Sequence, residues 1–195
     1  MKGDHVVSYT VPGLKPDSAQ TVIGLLQDRL NALNDLALTL KHVHWNVVGP
    51  DFIAVHTMLD PQVDGVRGMV DETAERIATL GGSPSGTPGA LVAQRSWDDY
   101  SIGRAGTLEH LAALDVVYTG IIEAQRQAIE VTGELDQVTQ DMLIKHSGEL
   151  EQFHWFVRAH LEHADGSLAT RGARTEKGAA RQASARPAGK RAGKR

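Results

Sequence analysis

Lys41-His-Val-His-Trp-Asn-Val-Val-Gly-Pro-Asp-Phe-Ile-Ala-Val-His56, running on through Asp60 to Asp71-Glu-Thr-Ala-Glu75, is the stretch that decides how this chain folds. Gly49-Pro50 breaks it, because glycine is favoured just past a helix end and proline cannot continue the helix. His44 stands five residues before Gly49 and His56 six residues after Pro50. Two antiparallel helices joined there bring the imidazoles close together. Asp71 and Glu75, spaced i, i+4, stack two carboxylates on one helix face. Neutral imidazoles with carboxylates suit iron, manganese or zinc, and nothing soft is present to select copper(I).

The spacing sets a constraint. If the second helix runs from before His56 through Glu75, Asp71 lies about 22 Å beyond His56. Metal–ligand bonds are about 2 Å long, so one ion cannot touch both pairs within a protomer. A two-fold axis resolves this, since in an isologous contact residue i meets j while j meets i. The expectation is a dimer with two equivalent sites, each taking its histidines from one chain and its carboxylates from the other.

The chain has 195 residues, enough for one domain with a core plus tails. It contains no cysteine, which excludes disulfides, thiolate nucleophiles and iron–sulfur ligation and fits a reducing cytoplasm. Its start lacks the apolar core of a signal peptide, and no apolar run is long enough to span a membrane. The formal net charge of −4 is unevenly spread. Residues 171–195 carry nine Lys/Arg against Glu176 alone, a net of +8, which leaves −12 for residues 1–170. An acidic body suits gathering cations and a basic appendage suits polyanions.

Residues 1–16, with Pro12, Gly13 and Pro16, read as an N-terminal arm. Asp17-x-x-Gln20 reads as a capping box opening a first helix. Leu26, Leu33, Ala37, Leu40 and His44 form one apolar line on it, and Leu25, Leu36 and Val43 a second. Asp51 is a good N-cap for a second helix ending at Gly81-Gly82. Pro61 lies within that helix and either bends it or opens a fresh one capped by Asp60; the bent continuous helix is the expectation. Residues 81–106 are too long for a hairpin loop and must cross the bundle, with a short helix expected at Ser96-Trp97-Asp98-Asp99-Tyr100. A third helix over about 104–131, a turn at Thr132-Gly133, and a fourth over about 135–164 complete the bundle. From 166 to 195 the composition turns Ala/Gly/Arg/Lys-rich, and a disordered basic tail is expected. The fold class is thus all-α: a ferritin-like four-helix bundle over 17–165, with one long crossover between the second and third helices.

His44-Trp45, His56, Asp60, Asp71 and Glu75, taken together, resemble the ferroxidase signature of Dps proteins, the small ferritins of starved bacterial cells. The likeness covers about residues 9 to 165 and is closest to actinobacterial members. Pro61 departs from it. The resemblance implies a hollow dodecamer built from two-fold dimers, oxidation of Fe²⁺ at their interfaces, preferably by hydrogen peroxide, and a Fe³⁺ mineral core. It also implies that Trp45 traps stray radicals beside the metal, and that hydrophilic pores lie near the start of the fourth helix, where Glu134, Asp136 and Asp141 stand.

Taken singly, a helical histidine or an i, i+4 acidic pair is more often packing or a solvated face; the set as a whole carries the metal reading. Asp60, one turn after His56, is either a direct ligand or the group that orients an imidazole. His42 points away from His44. Glu151-x-x-His154 is a single Glu-x-x-His motif where a bundle-core di-iron site needs two. His146 and His160 read as structural, and His163 as exposed. Arg171, Arg174, Lys177, Arg181, Arg186, Lys190, Arg191, Lys194 and Arg195 form a polyelectrolyte matched to DNA phosphate, without aromatic residues for base stacking, so binding is expected to ignore sequence. The resulting reading is a cytoplasmic, nucleoid-associated ferroxidase and iron store that binds DNA through its tail. Its rivals are a structural nucleoid protein with a vestigial or zinc-occupied site, and iron storage without DNA.

Overall fold

The computed structural model describes residues 9–185. α1 (Pro16–Asn46) and α2 (Phe52–Thr79) form one helical hairpin, and α4 (Thr107–Leu135) and α5 (Gln137–Ala159) the other. Between them lies the crossover with α3 (Pro88–Gln94), and α6 (Glu176–Ser184) follows the bundle. Two short strands, β1 (Val47–Val48) and β2 (Ala105–Gly106), pair in parallel, Val47 with Ala105 and Val48 with Gly106. That pairing sets the start of α4 beside the end of α1. α2 meanwhile carries the chain about 42 Å to the opposite end, so the crossover has to return along the bundle's whole length.

Both predicted lines of α1 are inside: Leu26, Leu33, Ala37, Leu40, Leu36 and Val43 are buried, and only Leu25 is partly exposed. The larger core cluster joins Leu33, Leu36, Ala37, Leu40 and Val43 to Val55, Leu59, Val63 and Val66 of α2, Leu111, Leu114 and Tyr118 of α4, and Leu150, Phe153 and Val157 of α5. A second cluster, around Leu26, Leu30, Ile77, Leu80 and Leu143, closes the far end.

α2 passes through Pro61 without a break. Proline removes only its own donor to the preceding turn. Asp60 does not cap a new helix; its Oδ1 accepts from Lys41 Nζ on α1 at 2.7 Å. At the C-terminus of α2 the Gly81 N–H donates to Ala78 O and the Gly82 N–H to Ile77 O, with Gly81 at φ +91°. This is a Schellman ending, and the left-handed residue within it calls for glycine.

Several expectations are corrected. α1 opens with Pro16 at its first position after Lys15, and no side-chain cap bond forms, so the Asp17/Gln20 capping box is not used. Asp51 is the N-cap of α2 but its carboxylate makes no cap bond either. The crossover helix lies at Pro88–Gln94, where proline presets the first φ, and not at Ser96–Tyr100. That segment is held irregular by its side chains: Trp97 Nε1 donates to Asp35 Oδ2 on α1 at 2.6 Å, and Arg95 bridges Asp35 and Asp99. α4 continues through Thr132-Gly133, and the turn falls at Asp136.

The tail expected to be disordered from residue 166 is folded as far as 185. Leu161 and Thr170 are buried, and α6 packs against α4 with Ala179 and Ala180 fully enclosed. Thr175 Oγ1 caps α6, and Glu176 accepts from the Ser101 N–H and hydroxyl. Alanine buries little area per residue, which is why composition alone suggested a chain with nothing to bury. Arg186, Lys190, Arg191, Lys194 and Arg195, like the first eight residues of the arm, lie outside the described residues.

Candidate metal centre

The α1–α2 corner brings His44 and His56 together, as the spacing predicts. Their rings stack with centroids 3.6 Å apart and 24° between planes. His44 Nδ1 lies 2.9 Å from the main-chain oxygen of His56, and His56 Nδ1 lies 2.9 Å from that of His44. A carbonyl only accepts, so each Nδ1 must carry the hydrogen. Each neutral ring therefore keeps the lone pair of Nε2 for a metal, the arrangement in which a backbone carbonyl fixes a ligating tautomer. His44 is buried and His56 partly so.

Asp60 sits on the Nδ1 side of this pair, its Oδ1 3.4 Å from His44 Nδ1 and in contact with Lys41. The hydrogen bond from Lys41, with that ammonium's charge, holds its carboxyl below the ordinary range. This position suits a group that orients the imidazole. Lys41 is a member of the site that sequence reasoning missed; its spacing of 19 from Asp60 becomes meaningful only once the hairpin is formed.

Asp71 and Glu75 are exposed on α2, and among the described residues neither carboxylate has a hydrogen-bond or ion-pair partner. The unbroken helix sets Asp71 about 22 Å past His56. No three His, Asp or Glu side chains converge on a metal position among the described residues of one chain. The histidine pair at the α1–α2 corner is thus assembled, and the carboxylate pair further along α2 is open.

The other described histidines weighed in the sequence lie apart from this pair. His42 Nε2 donates to Ile102 O at 2.9 Å. His154 Nε2 pairs with Asp115 Oδ1 at 2.7 Å, and Glu151 is bridged to Arg126, so Glu151-x-x-His154 forms no metal site. His146 is buried against Glu72 at 2.9 Å, while His160 and His163 are exposed.

Trp45 follows His44 and is 72% exposed. With Phe52 and Ile53, both partly exposed, it forms an apolar patch at the same corner. Of the acids expected at a pore, Glu134 and Asp141 are exposed. Asp136 is buried: it caps α5, accepts from Thr139, and pairs with Arg76 Nη2 at 2.6 Å. Burial alone would raise its carboxyl, and the bonds from Thr139 and Arg76 outweigh that and hold it low. Asp136 is a structural cap with no free charge to line a pore.

The ferritin-like domain family matches residues 23–166. The "DNA protection during starvation protein" of Mycolicibacterium smegmatis is 61% identical over 178 residues, spanning 91% of this chain and 97% of the relative. The chain belongs to the Dps family of ferritin-like proteins. Among solved Dps structures, that of Mycobacterium smegmatis superposes with a TM-score of 0.86 at 62% identity, covering 88% of this chain and 98% of the other. DpsA14 from Streptomyces coelicolor gives 0.84 at 64%, covering 85% and 99%. The Dps bundle and its crossover are therefore those of this chain. No described helix is long and apolar enough to cross a membrane.

Proposed function

We propose that this Dps-family chain is a ferroxidase and iron store that also binds DNA. The observation that carries the reading is the histidine pair: reciprocal main-chain bonds free both Nε2 lone pairs, while α2 holds two unpartnered carboxylates about 22 and 28 Å further along. Pairing of two protomers joins His44 and His56 of one to Asp71 and Glu75 of the other, with Asp60 orienting His44. Fe²⁺ is the substrate. Hydrogen peroxide, the oxidant the family resemblance favours, takes two electrons from two Fe²⁺, and Fe³⁺ is stored as mineral inside a dodecameric shell. Exposed Glu134 and Asp141 draw Fe²⁺ by local potential, and Trp45 intercepts radicals that escape.

The basic residues supply the second activity. Arg171, Arg174, Lys177 and Arg181 are exposed on the docked segment, and five further Lys/Arg follow from Arg186 to Arg195. Twelve such segments on one shell would bind DNA phosphate with avidity and without sequence preference, placing the protein on the nucleoid in the cytoplasm. Deleting residues 186–195 and replacing exposed Arg171, Arg174, Lys177 and Arg181 by Gln, which keeps α6 docked, should abolish DNA retention in a gel-shift titration and leave iron oxidation intact. Full-length binding should weaken steeply with salt. Retention that survives these changes would assign DNA binding to the shell.

The test of the metal site is the double substitution His44→Ala/His56→Ala. Initial Fe²⁺ oxidation should fall by more than about 100-fold, since even outer-shell partners are worth about 10–100-fold, with the oligomer unchanged by light scattering. Unchanged oxidation overturns the site.

A further inference from the structure

The chain has three tyrosines, and their surroundings differ in one chemical respect. Tyr9 is 70% exposed. Tyr118 is fully buried, and its hydroxyl donates to Gln62 Oε1 at 2.7 Å, an amide oxygen that cannot take up a proton near neutral pH. Tyr100, in the crossover, has its hydroxyl 3.0 Å from Nδ1 of His110, the fourth residue of α4. His110 is wholly buried, and burial drives it below the usual imidazole range, so the ring is neutral and ready to accept. Burial likewise pushes the Tyr100 phenol up, so the phenol keeps its proton at rest. His110 Nε2 makes no well-formed hydrogen bond, yet the main-chain carbonyls of Asn46 and Gly103 nearby favour a charged ring.

From the metal corner, His42 leads toward the same pair. Trp45 and His42 are i, i+3 neighbours on one helix face. The His42 ring meets Tyr100 edge-on at 5.7 Å, and the Tyr100 and His110 rings lie nearly parallel, 12° between planes, with centroids 6.1 Å apart. Trp45 is the exposed end of this series, Tyr100 is partly exposed, and His110 is buried.

We propose that Tyr100 and His110 are a proton-coupled redox pair that receives one-electron oxidising equivalents from the corner carrying His44 and Trp45. In the step, Tyr100 loses one electron and its O–H bond breaks. The proton forms an N–H bond at His110 Nδ1, leaving a neutral phenoxyl radical and an imidazolium. The oxidant is hydroxyl radical, made when one Fe²⁺ reduces peroxide by a single electron; it takes up the electron, directly or through the Trp45 indole, and becomes hydroxide. Tyr118 has the burial without the proton acceptor and stays unoxidised. The role as a sink during iron oxidation rests on the proposed function, whereas the chemistry of the pair does not.

The test uses as its parent the full-length, metal-free Tyr9→Phe protein, because exposed Tyr9 would itself be oxidised, with a photogenerated ruthenium(III) tris-bipyridine oxidant, read by transient absorption and electron paramagnetic resonance. The expected result is a phenoxyl radical in the parent and in Tyr118→Phe, formed more slowly in deuterated water, and lost in Tyr100→Phe. His110→Gln should slow its formation by about 100-fold, the low end of what a positioned proton acceptor contributes. A radical that persists in Tyr100→Phe, or one formed at parental rate in His110→Gln or in deuterated water, overturns the pair. Tyr100→Phe removes only a hydroxyl, so the test stands even if His110→Gln does not fold. A second arm replaces light by Fe²⁺ and hydrogen peroxide: the same radical supports its use as a sink, and its absence there, with the light-driven radical intact, counts against the iron reading and leaves the pair standing.

Discussion

The two ends of α2 carry the two halves of one proposed site in opposite states of preparation. At the Phe52 end, His56 is locked to His44 by a pair of main-chain hydrogen bonds and ring stacking, with Asp60 and Lys41 behind them. Toward the Thr79 end, Asp71 and Glu75 stand exposed and unpartnered. Imidazoles need an external bond to fix tautomer and direction, whereas carboxylates have lone pairs on both oxygens and need only be near. Building the demanding half within the subunit and leaving the tolerant half open assigns completion of the site to assembly.

The contrast can be broken most sharply by comparing the two double substitutions. Both His44→Ala/His56→Ala and Asp71→Ala/Glu75→Ala should reduce Fe²⁺ oxidation by more than about 100-fold. Their effects on folding should diverge. Loss of the histidines removes two α1–α2 hydrogen bonds and a stacked pair and should cost about 2–3 kcal/mol by chemical denaturation, while loss of exposed carboxylates should stay within about 0.5 kcal/mol. Equal destabilisation would contradict the division into a built and an open half.

Asp60→Asn sharpens the same comparison. If Asp60 orients His44, the substitution should slow oxidation by about tenfold, with iron stoichiometry per site unchanged in a titration. A fall in stoichiometry would make Asp60 a direct ligand. Acid tests the far end of α2 separately. Arg76 and Thr139 hold the Asp136 carboxyl below its ordinary value, so its contribution to stability is complete above the unfolded range near ~3.9 and is lost as pH falls through the depressed folded value. Asp136→Asn should cost about 3 kcal/mol at neutral pH, and the difference from the parent should shrink as acid protonates Asp136.

What sequence could show followed from periodicity and reach. The apolar lines of α1, the long return of the crossover and the His44–His56 approach all depend on helix geometry, and all are found. The separation of His56 from Asp71 required only that Pro61 not end α2, and it does not. Contacts without a period were hidden. Lys41 to Asp60, Tyr100 to His110 and Asp115 to His154 and Thr170 are pairings that the completed tertiary fold creates. α6 was hidden for another reason: its buried face is Ala179 and Ala180, and a cationic Ala/Gly composition looks the same docked or free.

The most direct measurement mixes the two inactive variants, His44→Ala/His56→Ala and Asp71→Ala/Glu75→Ala, by joint dissociation and reassembly, and follows Fe²⁺ oxidation. Random pairing makes half the dimers hybrid, and each hybrid rebuilds one of its two sites, so about a quarter of parental activity should return. If the mixture stays as inactive as its components, the histidines and carboxylates do not meet across the subunit boundary and the central claim fails.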